Sequence, residues 1–490
     1  MIDTNNLSAL PAGWVWTRLG EFTEIILGQS PPSSTYNENN IGLPFYQGKA
    51  EFGKIFPVPQ KWCCKPKKNA KQGDVLISVR APVGPTNICP EESCIGRGLA
   101  AIRGLCGIKP YFILYLLRKY EQEIATKGTG STFDAISGTQ LKELPLPLPP
   151  LQEQHRIVTK IEELFTKLDA GLEALKKVKS QLKRYRQSVL KHAFCGKLTE
   201  EWRESHKDEL EPASVLLERI MEEREKSEKK KGKKEIGEIN TEGLQELPVG
   251  WGWVKLGDIE IFIGSGITPK GGSNVYVSSG IPFIRSQNVY PEGLRLEDVA
   301  YITDEIHEKM KRTHIKPRDV LLNITGASIG RSTYIPENFN VANVNQHVCI
   351  IRTELCLFHK YLSRFLNSPD GQKQIFHIQV GVTRQGLNYD QIRSFLLPLP
   401  SLPEQHRIVE EIERRFSISE EVEKTVDYSL KQAEKLRQSI LKSAFSGRLV
   451  PQDPSDEPAE ELLKRIKEER ERNLECKNSK KTGKKKLPSH

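Results

Sequence analysis

PLPPLQEQHRIV at 147–158 and PLPSLPEQHRIV at 398–409 are one segment written twice. The repetition extends outward. RQSVLKHAFCGKL at 186–198 returns as RQSILKSAFSGRL at 437–449, and EPASVLLERI at 211–220 as EPAEELLKRI at 457–466. Upstream, LPAGWVWTRLG at 10–20 returns as LPVGWGWVKLG at 247–257, and GDVLISVRAPVG at 73–84 as RDVLLNITGASIG at 318–330. The offset grows from 237 at the Trp motifs to 251 along the QHRIV segments, so length differences collect in the first part of each copy.

Two kinds of structure alternate. From about 12 to 145, short β-rich runs and turn signals predict a mixed α/β module, with YFILYLLRKYEQEIA at 111–125 reading as one helix. After 151 the apolar positions Ile157, Ile161, Leu164, Leu168, Leu172, Leu175, Val178, Leu182, Tyr185 and Val189 recur near every 3.6 residues, which marks a long amphipathic helix. Ile408, Ile412, Phe416, Ser419, Val422, Val426, Leu430, Ala433, Leu436 and Ile440 repeat it, and Ser401 with Glu404 has capping-box spacing. A helix of about 40 residues spans about 60 Å, so its stripe needs a partner. The other copy, lying antiparallel about a pseudo-twofold axis, is the expected one; a second chain is the alternative. Across 151–198 against 402–449, 20 of 48 positions are identical and cluster at the helix ends, as if one partner were met twice.

Composition narrows the class. The chain has 490 residues, 28% charged and 37% hydrophobic, with no apolar run long enough for a membrane span. The start lacks a secretory signal, which predicts a cytoplasmic protein. Nine cysteines without a CxxC pair read as reduced thiols; a zinc site at Cys63, Cys64, Cys89 and Cys94 is disfavoured because adjacent cysteines do not easily reach one tetrahedral ion. The net charge of +10 lies in KSEKKKGKK at 226–234 and KNSKKTGKKK at 477–486, read as solvated linker and tail. Outside them the chain is nearly neutral.

No catalytic engine is legible. GITPKGG at 266–272 lacks the Lys and hydroxyl at the places a phosphate loop requires. Ser30-Pro31-Pro32-Ser33 has no aromatic to stack a flipped base, and Gly128-Thr129-Gly130 reads as a turn. Pro369-Asp370 has no suitable D/E-x-K downstream in its module for a nuclease, and no Cys, Asp or Ser recurs with His155 and His406 to make a triad.

With its paired LPLPxLxEQHRIV and RQS(V/I)LKxAFxGxL segments, the chain resembles the specificity subunits of type I restriction-modification enzymes over essentially its whole length. The resemblance implies an α+β fold of two target-recognition domains separated by two long antiparallel helices: 1–150, a helical region with Lys-rich linker at 151–245, 246–401, and a second helical region with Lys-rich tail at 402–490. It implies a non-catalytic subunit, each domain reading half of a split site in double-stranded DNA. Two modification subunits would carry S-adenosylmethionine, and restriction/translocase subunits would use ATP and Mg; no cofactor or metal is expected here. The rival is a coiled-coil adaptor without sequence-specific DNA binding.

Base readout uses Arg on guanine and Asn or Gln on adenine. The candidates are Gln47, Lys49, Arg80 and Arg97 in the first module, and Arg285, Gln287, Asn288, Thr325, Ser328 and Arg331 in the second. Candidates for subunit docking are Gln154, His155 and Arg156 with Gln405, His406 and Arg407.

Overall fold

A computed structural model describes residues 9–126, 135–227, 239–269, 271, 275–378 and 386–483. Gly128-Thr129-Gly130, most of KSEKKKGKK, parts of GITPKGG and the end of KNSKKTGKKK fall outside the described residues. The chain divides into two compact units, one of residues up to 175 and from 428 onward, the other of residues 176–427.

In the first unit a four-stranded antiparallel sheet runs in the order Thr23–Leu27, Leu99–Gly104, Val75–Ser78, Thr86–Ile88. Val75–Ser78 is a continuous run buried at all four residues, as a strand covered on both faces requires. The second unit repeats the order with Glu260–Ser265, Val348–Thr353, Val320–Asn323 and Ser332–Tyr334. The Asp that opens each DVL motif anchors this sheet. Asp74 takes Arg103 bidentately at 2.8 and 2.7 Å, and Asp319 takes Arg352 at 2.7 and 2.7 Å. Strand pairs Val15–Arg18 with Pro145–Leu148, and Gly252–Lys255 with Leu396–Leu399, tie the two ends of each module together. The modules differ in the remaining sheet, which has five short strands in the first and three in the second, beside a separate two-stranded ribbon.

The long helices are Leu151–Phe194 and Leu402–Ala444, and each unit holds the start of one and the end of the other. In the first unit Ile157 and Ile161 share a core with Ile440, Leu441, Ala444 and Phe445. In the second, Ile408, Val409 and Ile412 share one with Val189, Leu190, Ala193 and Phe194. The helices are therefore antiparallel neighbours within each unit. The stripe is not buried throughout: Tyr185, Val422 and Leu436 are exposed. A straight helix drifts about 20° per heptad relative to its seam, so a 3.6-spaced series leaves a two-helix interface that a 3.5-spaced one would follow.

Three local expectations are corrected. The segment 111–125 is two helices, Pro110–Lys119 and Glu121–Thr126, broken at Tyr120. The Ser401–Glu404 capping box does not form: the Ser401 hydroxyl has no partner and the Glu404 carboxylate turns elsewhere. The EPA segments open helices Ala213–Ser227 and Ala459–Gly483, so residues 477–483 of the Lys-rich tail continue a helix. No described helix is long and apolar enough to cross a membrane.

Candidate nucleic-acid interface

In the first module the strands Leu43–Tyr46 and Ser93–Ile95 are parallel and in register, Phe45 beside Cys94 and Tyr46 beside Ile95. Their ends therefore deliver the following residues to one rim. Gly96 N donates to Tyr46 O at 2.8 Å, and Val79 N donates to Gly98 O at 2.9 Å, which draws in the residue after Val75–Ser78 and its successor. Gly98 is required by this approach, since a Cβ there would stand 2.3 Å from the Gln47 carbonyl oxygen. Ser30 joins through its Oγ, which accepts from Arg97 N at 3.2 Å. Gln47, Lys49, Arg80 and Arg97 thus belong to one loop cluster, and all four are exposed.

The second module rebuilds the rim on the same frame. Strand Ile281–Ile284 pairs in parallel with Asn343–Val344, Asn345 N donates to Ile284 O at 3.1 Å, and Ile324 N donates to His347 O at 3.0 Å. Matching strand to strand puts Arg285 where Gln47 stands, Gln287 at Lys49, Thr325 at Arg80 and Gln346 at Arg97. The backbone repeats while the side chains change. The first rim carries three cations, Lys49, Arg80 and Arg97; its counterpart has one at the matched positions, Arg285.

Some expected readers are engaged inside the chain. Asn288 is buried, its Oδ1 accepting from Arg285 N at 3.0 Å and its Nδ2 donating to Arg295 O at 2.9 Å, so it shapes a turn and presents no edge. Arg285 is half-buried, donating to Asp298 O at 3.2 Å and lying 5.6 Å from the Tyr276 ring centroid. Ser328 accepts from Asn323 at 3.1 Å, and Arg331 lies over Tyr290 at 4.9 Å. Gln287 remains exposed. Gln346, His347 and Thr268 escaped sequence reading; a strand-by-strand alignment of the copies gives the signal, because it sets Gln346 against Arg97.

In the QHR segments the two glutamines face inward, so neither can meet a docked subunit. Gln154 is fully buried and donates to Pro149 O at 2.9 Å. Gln405, equally buried, donates to Cys356 O and Pro400 O at 3.0 Å each and accepts from Phe358 N at 2.8 Å. Both pin the helix start to its own module. Arg156 is held by Asp456 and Arg407 by Glu410 and Glu411. The His406 ring is exposed and stacks on Phe358 at 3.9 Å, whereas His155 is half-buried with Nε2 unpartnered.

The neighbouring glutamates explain the Trp motifs. Glu153 accepts from Trp14 Nε1 at 2.9 Å and from Gln452 at 3.2 Å. Glu404 accepts from Trp251 Nε1 at 2.8 Å, and from Thr199 Oγ1 and Arg203 Nη1 at 2.8 Å each. Each carboxylate binds the entry of a module to the segment that follows the opposite helix. Burial pushes the Glu153 carboxyl above the ordinary value, opposed by its bond from Trp14.

Cys63, Cys89 and Cys94 are buried thiols, whereas Cys64 is exposed; burial pushes Cys89 up to about 11 and Cys94 up to about 12, and Cys89 Sγ donates to Glu91 O at 3.0 Å. Among the described residues one trio, His307, Glu308 and His314, has ligand atoms within 4.8 Å of one another. Its imidazoles stack face to face at 3.6 Å, His314 Nε2 bonds to His307 O, and His307 Nδ1 faces the Asn343 amide. That is ring packing, since ligands to one ion aim their lone pairs at a common point.

The type I restriction modification DNA specificity domain family matches twice, over residues 11–184 and 248–431. The type I restriction enzyme EcoBI specificity subunit of Escherichia coli is 27% identical over 486 residues, covering 96% of this chain and 94% of that protein. A crystal structure of the HsdS subunit from Thermoanaerobacter tengcongensis matches with TM-score 0.55 and 20% identity, over 91% of this chain and all of that one. A chain solved in work on complex assembly and conformational transition of the type I R-M system gives TM-score 0.65 and 20% identity, over 90% and 100%. At that identity the solved structures establish likeness of fold.

Proposed function

The chain belongs to the type I restriction modification DNA specificity family, and from that premise we propose that its modules each read one half of a bipartite site in double-stranded DNA. The long helices set the gap and dock two modification subunits. Methyl transfer, with S-adenosylmethionine, belongs to those subunits, and ATP and Mg to restriction/translocase subunits; this chain contributes recognition and no catalysis. One observation carries the reading: the two rims share a backbone frame but differ at every matched position, Gln47 against Arg285, Lys49 against Gln287, Arg80 against Thr325 and Arg97 against Gln346. A scaffold that only joined subunits has no use for one frame carrying two sets of hydrogen-bonding groups.

The test replaces residues 12–145 with the first module of another family member, assembles the chimera with modification subunits and S-adenosylmethionine, and maps methylated sites. One half-site should change and the other stay. A change in both halves, in neither, or methyl transfer by this chain without modification subunits contradicts the reading.

A further inference from the structure

Gln346 is exposed on the second rim, yet both ends of its amide are held. Thr268 Oγ1 bonds to its Oε1, and its Nε2 lies 3.1 Å from His347 Nε2. His347 is fixed in turn: Nδ1 bonds to Thr325 Oγ1, and its backbone N donates to Asn345 Oδ1 at 3.1 Å. Four residues from three chain segments thus hold one glutamine amide at the surface. Gln287 on the same rim has no side-chain partner among the described residues. Exposed glutamines ordinarily keep their rotamer freedom, so fixing this one requires neighbours placed for it.

A primary amide has two N–H donors and two oxygen lone pairs. His347 and Thr268 occupy one site on each end in either amide orientation, because an imidazole nitrogen and a hydroxyl can each donate or accept. One N–H and one lone pair are left on a planar group. That donor–acceptor pair complements the N7 acceptor and N6 donor that adenine alone presents in the major groove.

We propose that Gln346 reads an adenine in the half-site of the second module, with His347 and Thr268 as positioning residues that fix its amide before DNA arrives. The proposal rests on the half-site reading above and names the base class and residue for one position of it. In the first module the matched residue is Arg97, and the hydroxyl beside it is Ser30, at the place of Thr268. Arginine pairs with guanine O6 and N7. The same seat on the two rims therefore carries an adenine reader and a guanine reader.

The experiment uses the full chain assembled with modification subunits, and selects bound duplexes from a pool randomised across both half-sites. Gln346→Ala should lose preference at one base pair of the second half by roughly 5- to 150-fold while the first half stays sharp. Gln346→Arg should move that pair from adenine towards guanine. His347→Ala should lower the preference for adenine there and leave binding to duplexes already changed at that pair untouched, a pattern that general damage to the module does not give. An unaltered base profile with Gln346→Ala, or equal weakening on every duplex, overturns the proposal and leaves the half-site reading standing. Absence of any preference in the second half with the unsubstituted chain overturns both. The remaining base pairs of the second half-site, read in the same pool, report that the second module of each variant is folded.

Discussion

Glu153 and Glu404 do the same work in the two units, whereas Arg97 and Gln346, seated on matching backbone, present different chemistry. The glutamates lie where each helix begins, buried, gripping a tryptophan from the module entry and a polar group from beyond the other helix. Arg97 and Gln346 lie just beyond strand ends and are exposed. Duplication kept the contacts that hold a unit together and released those that face outward. Repetition in this chain therefore marks structure, and on the proposed function divergence on a repeated frame marks recognition.

The largest effects are expected at the glutamates. Glu404 receives three donors, one of them the guanidinium of Arg203, whose side chain is 12% exposed. Glu404→Ala leaves that charge buried and unpaired, and should destabilise the second unit by about 3–5 kcal/mol. Glu153→Ala strands only neutral donors and should cost about 1–3 kcal/mol. Urea unfolding followed by tryptophan emission measures both; equal losses would show that the two clamps do not differ in this way.

A smaller effect separates the units by pH. Burial, with Arg318 and Lys360 nearby, lowers His359 to about 4. The unfolded imidazole takes a proton below about 6.5. Between those values the unfolded chain binds the extra proton, so the second unit keeps this stability above pH 6.5 and loses it as pH falls towards 4, by about 2–3 kcal/mol. Pro110 stands at the matching helix start of the first module. His359→Gln should flatten the slope of stability against pH over that range; an unchanged slope would assign the acid sensitivity to other groups.

The long helices, the doubled modules and the α+β class were legible because each rests on periodicity or on a motif met twice. So were the rim positions that follow a strand, such as Gln47, Arg97 and Thr325, since residues after an apolar run emerge at a sheet end. Direction was harder to read. Gln154 and Gln405 look like surface amides in a QHR motif, but the first helical turn packs on its own module, and both turn inward to cap carbonyls there. Asn288 has the side chain of an adenine reader and serves a turn, because its backbone neighbours lie closer than any solvent-facing partner. The expected Ser401–Glu404 box failed for a related reason: the carboxylate found Trp251, Thr199 and Arg203, residues whose approach is set by tertiary packing. Gln346 was missed because its environment comes from Thr268 and His347, one of them 78 residues away.

The smallest expected effect on stability accompanies the most direct test of the account. A chain with Gln47, Lys49, Arg80 and Arg97 all changed to Ala alters only exposed loop side chains, which should move unfolding by no more than about 0.5 kcal/mol per site. Assembled with modification subunits and followed by methylation mapping, it should show a first half-site that has lost its sequence preference, with the second half-site and the spacer unchanged. A first half-site that stays fully specified, or a loss spread over both halves, would contradict the division between a repeated frame that holds and a divergent rim that reads.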